Sequence, residues 1–171
     1  MKQLTKKELK KFFKTGLKRR QEIVLILENI QYERNIAAIF RTADAAGVSK
    51  IYLTGTSKTP PFEPILEHVS RDKEKLVDWE YQKNSYYVLQ KLQRENFIRI
   101  AVELTNTAMP LNKLKQLADA NQKICLVLGS EMFGIKKDTL KFCDDSVFIP
   151  MYGKGASLNV ATSAGIVLYS F

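Results

Sequence analysis

One histidine, two cysteines, five prolines and a single tryptophan stand among the 171 residues of this chain. Each scarcity closes off a chemistry. His68 is the sole imidazole, which argues against histidine-based acid–base or nucleophilic schemes and leaves it an ordinary polar or partly buried role. Cys125 and Cys143 lie far apart, and no Cys/His cluster has zinc spacing. Cys125 falls in the apolar run 124–128 and reads as a small buried hydrophobe. No stretch approaches the ~20 apolar residues that span a bilayer. The lysine-rich start lacks the apolar core of a signal peptide, so the expected location is the cytoplasm. No glycine-rich fingerprint follows the first apolar run and no GxxxxGK[ST] element occurs, which disfavours nicotinamide dinucleotides and P-loop triphosphate chemistry.

What is present is positive charge and a globular core. Hydrophobic residues make up 45% and aromatics 10%, a composition that folds. At this length one domain is expected. The formal net charge is +9, pointing to nucleic acid first and anionic membrane second. Residues 1–20 carry nearly all of the excess. They hold Lys2, Lys6, Lys7, Lys10, Lys11, Lys14, Lys18, Arg19 and Arg20 against one acid, Glu8. Thr5 and Glu8 have capping-box spacing, so a helix is expected over residues 5–20. It reads either as a solvated helix packed on its own domain or as a basic appendage that grips RNA, with a membrane-surface helix ranked third.

The rest alternates. Short apolar runs predict strands at 23–27, 50–53, 76–81, 97–103, 124–128 and 147–149. Helices are expected at 35–46, closed by Gly47, and at 85–96, 111–118, 136–142 and 157–171. Strands alternating with helices imply an α/β fold, a mostly parallel sheet flanked by helices. No repeat, low-complexity tract or second domain is evident. The chain divides into a basic N-terminal helical extension, 1–20, and a domain, 21–171.

Ligands of open parallel sheets bind beyond the carboxyl ends of strands, and three polar clusters follow such ends. Glu28, Asn29, Asn35 and Arg41 follow the first strand. Asn35 reads either as a site residue or as a helix N-cap, and Arg41 as a site residue or a surface cation. Gly129-Ser130-Glu131-Met132-Phe133-Gly134 follows the strand at 124–128, and Glu131 either orients a polar partner or is a solvated turn residue. Pro150 to Asn159 follows the last strand and contains Gly153-Lys154-Gly155. Glycines there permit close backbone approach, and N–H groups at a helix start favour a polar or anionic ligand. Ser157 reads as the cap of the last helix or as a site residue, with Asn159 in its first turn.

Taken together, these segments resemble the three motifs of the SpoU (TrmH-like) branch of the SPOUT RNA methyltransferases. Motif one resembles Asn35-Ile36-Ala37-Ala38-Ile39-Phe40-Arg41-Thr42-Ala43, motif two Leu126 to Ile135, and motif three Ile149-Pro150-Met151 through Ser157-Leu158-Asn159-Val160. The resemblance covers about residues 21–171. It implies a C-terminal trefoil knot, an exception to the rule that chains are unknotted. It also implies S-adenosyl-L-methionine as cofactor, a homodimer, and methylation of a ribose 2′-hydroxyl of tRNA or rRNA. A non-catalytic SPOUT-like RNA-binding or RNA-assembly protein is the alternative.

On the resemblance, Gly129, Ile149, Met151 and Leu158 hold the cofactor, with Thr105 a further candidate. Arg41 is the central catalytic residue, assisted by Asn35, Glu131, Ser157 and Asn159. Lys10, Lys14, Lys18, Arg19, Arg20 and Arg41 are the RNA-binding candidates, and no metal is expected. Motif one usually carries a glycine where this chain has Ala37, whose methyl narrows any close backbone approach there. An arginine is a poor base because its pKa exceeds 12. Arg41 therefore reads best as a bidentate clamp on the phosphate beside the target ribose.

Overall fold

The computed structural model describes residues 1–14, 20–155 and 157–171. Its elements in chain order are α1 (Lys6–Lys14), β1 (Glu22–Glu28), α2 (Glu33–Ala46), β2 (Lys50–Thr54), α3 (Glu67–Ser70), β3 (Asp78–Gln82) and α4 (Ser85–Arg94), followed by β4 (Ile98–Val102), β5 (Met109–Pro110), α5 (Leu114–Ala120), β6 (Lys123–Leu128), α6 (Lys137–Leu140), β7 (Asp145–Phe148) and α7 (Val160–Leu168). Short 3₁₀ turns precede α3, β3 and α5. None of the helices among the described residues is long and apolar enough to cross a membrane.

Seven strands form one sheet in the order β3-β2-β1-β6-β4-β7-β5. Every pairing is parallel, so the expectation of a mostly parallel sheet is met in full. The two-residue β5 at the edge has no run of apolar residues behind it and was not legible as a strand. A parallel sheet buries both faces, and β1 does so by alternation. Ile23, Leu25 and Leu27 face one core with Ile36, Ile39 and Phe40 of α2 and Val167 and Leu168 of α7. Val24 and Ile26 face the other with Val88, Leu89 and Leu92 of α4. β6 alternates in the same sense, with Leu126 on the first face and Cys125 on the second. Cys125 is the buried hydrophobe expected of it.

Helix ends depart from the sequence reading in instructive ways. α2 begins at Glu33, and its N-cap is Tyr32 with no side-chain cap. Asn35 is therefore already inside the helix and is not its cap. Gly47 closes α2 in the left-handed region at φ 71°, the conformation glycine adopts at least cost. α7 begins at Val160, capped by Asn159, whose side-chain oxygen accepts from the N–H groups of Ala161 and Thr162. The cap is thus two residues later than Ser157, and the helix stops at Leu168 rather than at the chain end.

At the N-terminus the capping box forms as expected. Glu8 Oε2 accepts from Thr5 N at 2.6 Å, and Glu8 N donates to Thr5 Oγ1 at 3.4 Å. Residues 1–12 are all exposed. Residues 15–19 of the expected helix, including Lys18 and Arg19, lie outside the described residues, and Arg20 stands in a bend rather than a helix.

Candidate functional site

Val102, Leu128 and Phe148 end β4, β6 and β7 on the same edge of the sheet. Beyond them opens a cleft of about 510 Å³, in the place where open α/β sheets take ligands. Leu128, Val147, Ile149 and Leu158 give it apolar walls, while Ser130, Glu131, Ser157 and Ser163 add polar groups.

The loop after β6 folds back on itself. Ser130 N donates to Gly134 O at 3.1 Å, and Gly134 N to Ser130 O at 2.8 Å. Ser130 Oγ accepts from Met132 N at 3.3 Å and Phe133 N at 3.4 Å. A methyl group on Gly129 would overlap the backbone of Gly134 and Ile135. Glycine at 129 is what lets strand end and returning loop touch, leaving a bare backbone wall.

Glu28, at the end of β1, anchors the far side of this loop. Its buried carboxylate accepts from Lys136 N at 2.8 Å and from the hydroxyls of Ser85 and Thr139. The neighbouring Asn29 turns elsewhere, its Oδ1 accepting from Thr56 N at 3.0 Å. Glu28 and Asn29 thus build the frame and do not join Asn35.

Three motifs far apart in sequence meet through two hydrogen bonds. Asn35 Nδ2 donates to Glu131 Oε1 at 2.6 Å, and Asn159 Nδ2 donates to Asn35 Oδ1 at 3.0 Å. The remaining oxygen of Asn159 caps α7. Every polar atom of Asn159 and Asn35 that sets orientation is therefore assigned, and Glu131 is held at the rim of the cleft. Ala37 lies wholly within the core, so its methyl fills packing space rather than the site.

Of the expected cofactor residues, Gly129, Ile149, Met151 and Leu158 all line the cleft, as do Glu131 and Ser157. Thr105 lies elsewhere. Its Oγ1 is 2.6 Å from Ser146 Oγ, and it lines a second cavity of about 470 Å³. Arg41 is exposed on α2 and does not line the cleft. Lys10 and Arg20 are exposed; Lys14 ends α1. Lining residues outside the sequence-derived set include Glu103, just past β4, and Ser163 on α7. The strand expected at 97–103 includes Glu103, whereas β4 stops at Val102 and leaves the carboxylate just beyond the strand end. No group of three or more His, Cys, Asp or Glu side chains among the described residues could hold a metal ion.

Comparison with known proteins gives this architecture a family. The SpoU rRNA Methylase family model matches residues 22–169. The tRNA (guanosine(18)-2′-O)-methyltransferase of Aquifex aeolicus is 29% identical over 163 residues, covering 95% of this chain and 74% of that protein. The 23S rRNA (guanosine-2′-O-)-methyltransferase RlmB of Pasteurella multocida is 31% identical over 150 residues, covering 86% of this chain. This chain spans only 58% of that relative's length. Among solved structures, the A. aeolicus TrmH/SpoU tRNA modifying enzyme superposes with a TM-score of 0.76 at 27% identity, covering 96% of this chain and 80% of its own. The SpoU methyltransferase AviRb from Streptomyces viridochromogenes, in complex with AdoMet, shares the fold with a TM-score of 0.75 at 21% identity, covering 90% of this chain and 58% of its own. The chain belongs to the SpoU family of RNA 2′-O-ribose methyltransferases.

Proposed function

We propose that this chain methylates a ribose 2′-hydroxyl of tRNA or rRNA, with S-adenosylmethionine held in the cleft beyond β4, β6 and β7. The observation that carries the reading is the Glu131–Asn35–Asn159 connection at the rim of that cleft. It joins the three motif segments where a reacting ribose and a cofactor would meet.

The cleft suits the cofactor on its own geometry. Apolar side chains on β6, β7 and the last loop offer a slot for a flat heteroaromatic ring, and the backbone bared at Gly129 offers hydrogen-bonding groups. Gly129, Ile149, Met151 and Leu158 are the residues that would hold it. When bound, S-adenosylmethionine supplies an electrophilic methyl group without help from a metal.

The protein's own task is alignment and removal of one proton. Asn35, fixed on both sides, orients Glu131 and Asn159 toward the ribose, and alignment alone can supply much of the rate. Arg41 clamps the phosphate next to the target ribose, where its planar fork fits two oxygens. Ser157, exposed beside Leu158 at the mouth, contributes a hydroxyl to the same region. The hydroxyl proton leaves to that phosphate or to water.

The reading extends to assembly. β7, last of the strands, inserts between β4 and β5, and the chain then runs on to pack α7 against α2. This threading supports a C-terminal trefoil knot. The exposed Tyr152, Ile166 and Tyr169 support a homodimer formed around the last loop and helix. Lys10, Lys14, Lys18, Arg19 and Arg20 supply sequence-independent RNA affinity, as an extension to the 21–171 domain. The cytoplasm is where such an enzyme meets its RNA.

The test is transfer of labelled methyl from S-adenosylmethionine to unmodified total RNA, separated into tRNA and rRNA, followed by nucleoside analysis. A labelled 2′-O-methyl nucleoside is expected, and the labelled fraction names the substrate class. Cofactor binding without label in either fraction would turn the reading toward a non-catalytic RNA-binding or assembly protein.

A further inference from the structure

The cleft has the opposite charge from the chain around it. The chain carries a formal +9, yet the described residues lining the cleft include Glu103 and Glu131 and no lysine, arginine or histidine. Both carboxylates are held in place. Glu103 Oε1 accepts from Leu104 N at 3.0 Å, and its Oε2 accepts from Ile135 N at 3.1 Å. Gly134 makes the room for it: a methyl group at 134 would overlap Glu103 Oε2, and the backbone there sits at φ +64°. Glu131 Oε1 is held by Asn35. A carboxylate has about four lone-pair directions, so each keeps accepting capacity toward the cleft.

We propose that Glu103 and Glu131 make this cleft select the cationic methyl donor over the uncharged thioether that remains after transfer. The inference rests on the cofactor reading given above. S-adenosylmethionine carries a sulfonium, an ammonium and a carboxylate, hence one net positive charge. The reaction breaks the S–CH₃ bond and forms O–CH₃. The bonding pair stays on sulfur and the hydroxyl proton passes to phosphate or water, so the sulfonium becomes a neutral thioether. Two fixed anions attract the first species and are indifferent to the second. That attraction grows as the surroundings become less polar, and Leu128, Val147, Ile149 and Leu158 provide such surroundings. The consequence is a product that leaves readily and inhibits weakly. The discrimination expected is about tenfold in Kd at low salt.

Calorimetric titration of the full chain with three probes tests this. S-adenosylmethionine carries a sulfonium charge, sinefungin carries an amine on carbon in place of the sulfonium, and S-adenosylhomocysteine carries neither. The first two should bind about tenfold more tightly than the third, with the ratio shrinking as salt is added. Glu103→Gln keeps an oxygen for Ile135 N–H and removes the charge, so it should bring the ratio toward one while leaving S-adenosylhomocysteine affinity nearly unchanged. Glu131→Gln should act in the same direction, and unchanged thermal midpoints would separate charge from folding. Equal binding of all three probes to the native chain, or a ratio untouched in both variants, would overturn the inference alone. Absence of binding by any probe would overturn the cofactor reading and this inference with it.

Discussion

Asn35 donates its amide proton to Glu131 at 2.6 Å and accepts from Asn159 through its own oxygen at 3.0 Å, so a residue in the first turn of α2 fixes both later motifs. A side-chain amide does both jobs, since it offers a donor and an acceptor on one planar group. Asn35→Asp replaces the donor with a second carboxylate facing Glu131. We expect turnover to fall about 10²-fold, with cofactor affinity little changed, measured as single-turnover methyl transfer beside calorimetric titration. Full turnover in this variant would remove Asn35 from the machinery.

Asn159 has a second duty as the cap of α7. Asn159→Ala should destabilise the fold by about 1 kcal/mol, lowering the midpoint of thermal unfolding by about 2–4 °C in a chain of this size. Asn159→Ser should recover most of the midpoint, since serine caps, but not the contact to Asn35. A variant that recovers turnover along with stability would reduce Asn159 to a cap.

Arg41→Lys keeps the charge and loses the bidentate fork. Turnover is expected to drop while overall RNA affinity changes little, because one contact among many is weakened. Filter binding alongside the methyl-transfer assay checks it. Near-full methylation with unchanged RNA affinity would exclude Arg41 from the mechanism.

Arg99 is buried at 6% exposure and pairs with Asp144 through both its side chain and its backbone N–H. Burial works to raise the Asp144 pKa, but the Arg99 hydrogen bonds outweigh it and hold the carboxyl below its ordinary value. A carboxyl depressed in the folded state stabilises above its unfolded pKa and loses that contribution as pH falls through the folded one. Asp144→Asn should therefore cost about 1–2 kcal/mol near neutrality, a range kept small because Asp144 is partly exposed. The variant should also flatten the decline in stability below about pH 4, read from urea melts across acidic pH. An equally steep decline in the variant would assign the acid sensitivity to other carboxylates.

Burial pushes the Cys143 thiol up to about 12 and Cys125 well above its ordinary value. Since the thiolate is the reactive form, neither should react with iodoacetamide at pH 8 in the folded protein, and both should react in denaturant. Mass spectrometry counts the labels. Rapid native alkylation of Cys143, which is only partly buried, would show that its thiol is not raised as its surroundings imply.

Much of this molecule was legible in one dimension. Buried strands announce themselves as continuous apolar runs, and six of the seven were visible, because a parallel sheet hides both faces. Polar residues directly after those runs marked the site, since strand ends are where backbone groups run out of partners. Glu103 closes the strand expected at 97–103 and so reads as part of it; β4 stops one residue earlier, and the approach of Gly134 and Ile135 gives the carboxylate its role.

The alternation of strands and helices, the three polar segments and the concentration of positive charge at residues 1–20 are all written in the chain's one-dimensional pattern. Those are local properties, set by hydrophobic period, turn chemistry and composition. Tertiary structure alone decided the strand order, the choice of Asn159 over Ser157 as the cap, and the pairing of Asn35 with Glu131 across 96 positions of chain. Spacing specifies which way a side chain leaves its own element. Which partner it meets depends on how distant elements pack, and that is settled by burial of the whole core rather than by any local stretch of sequence.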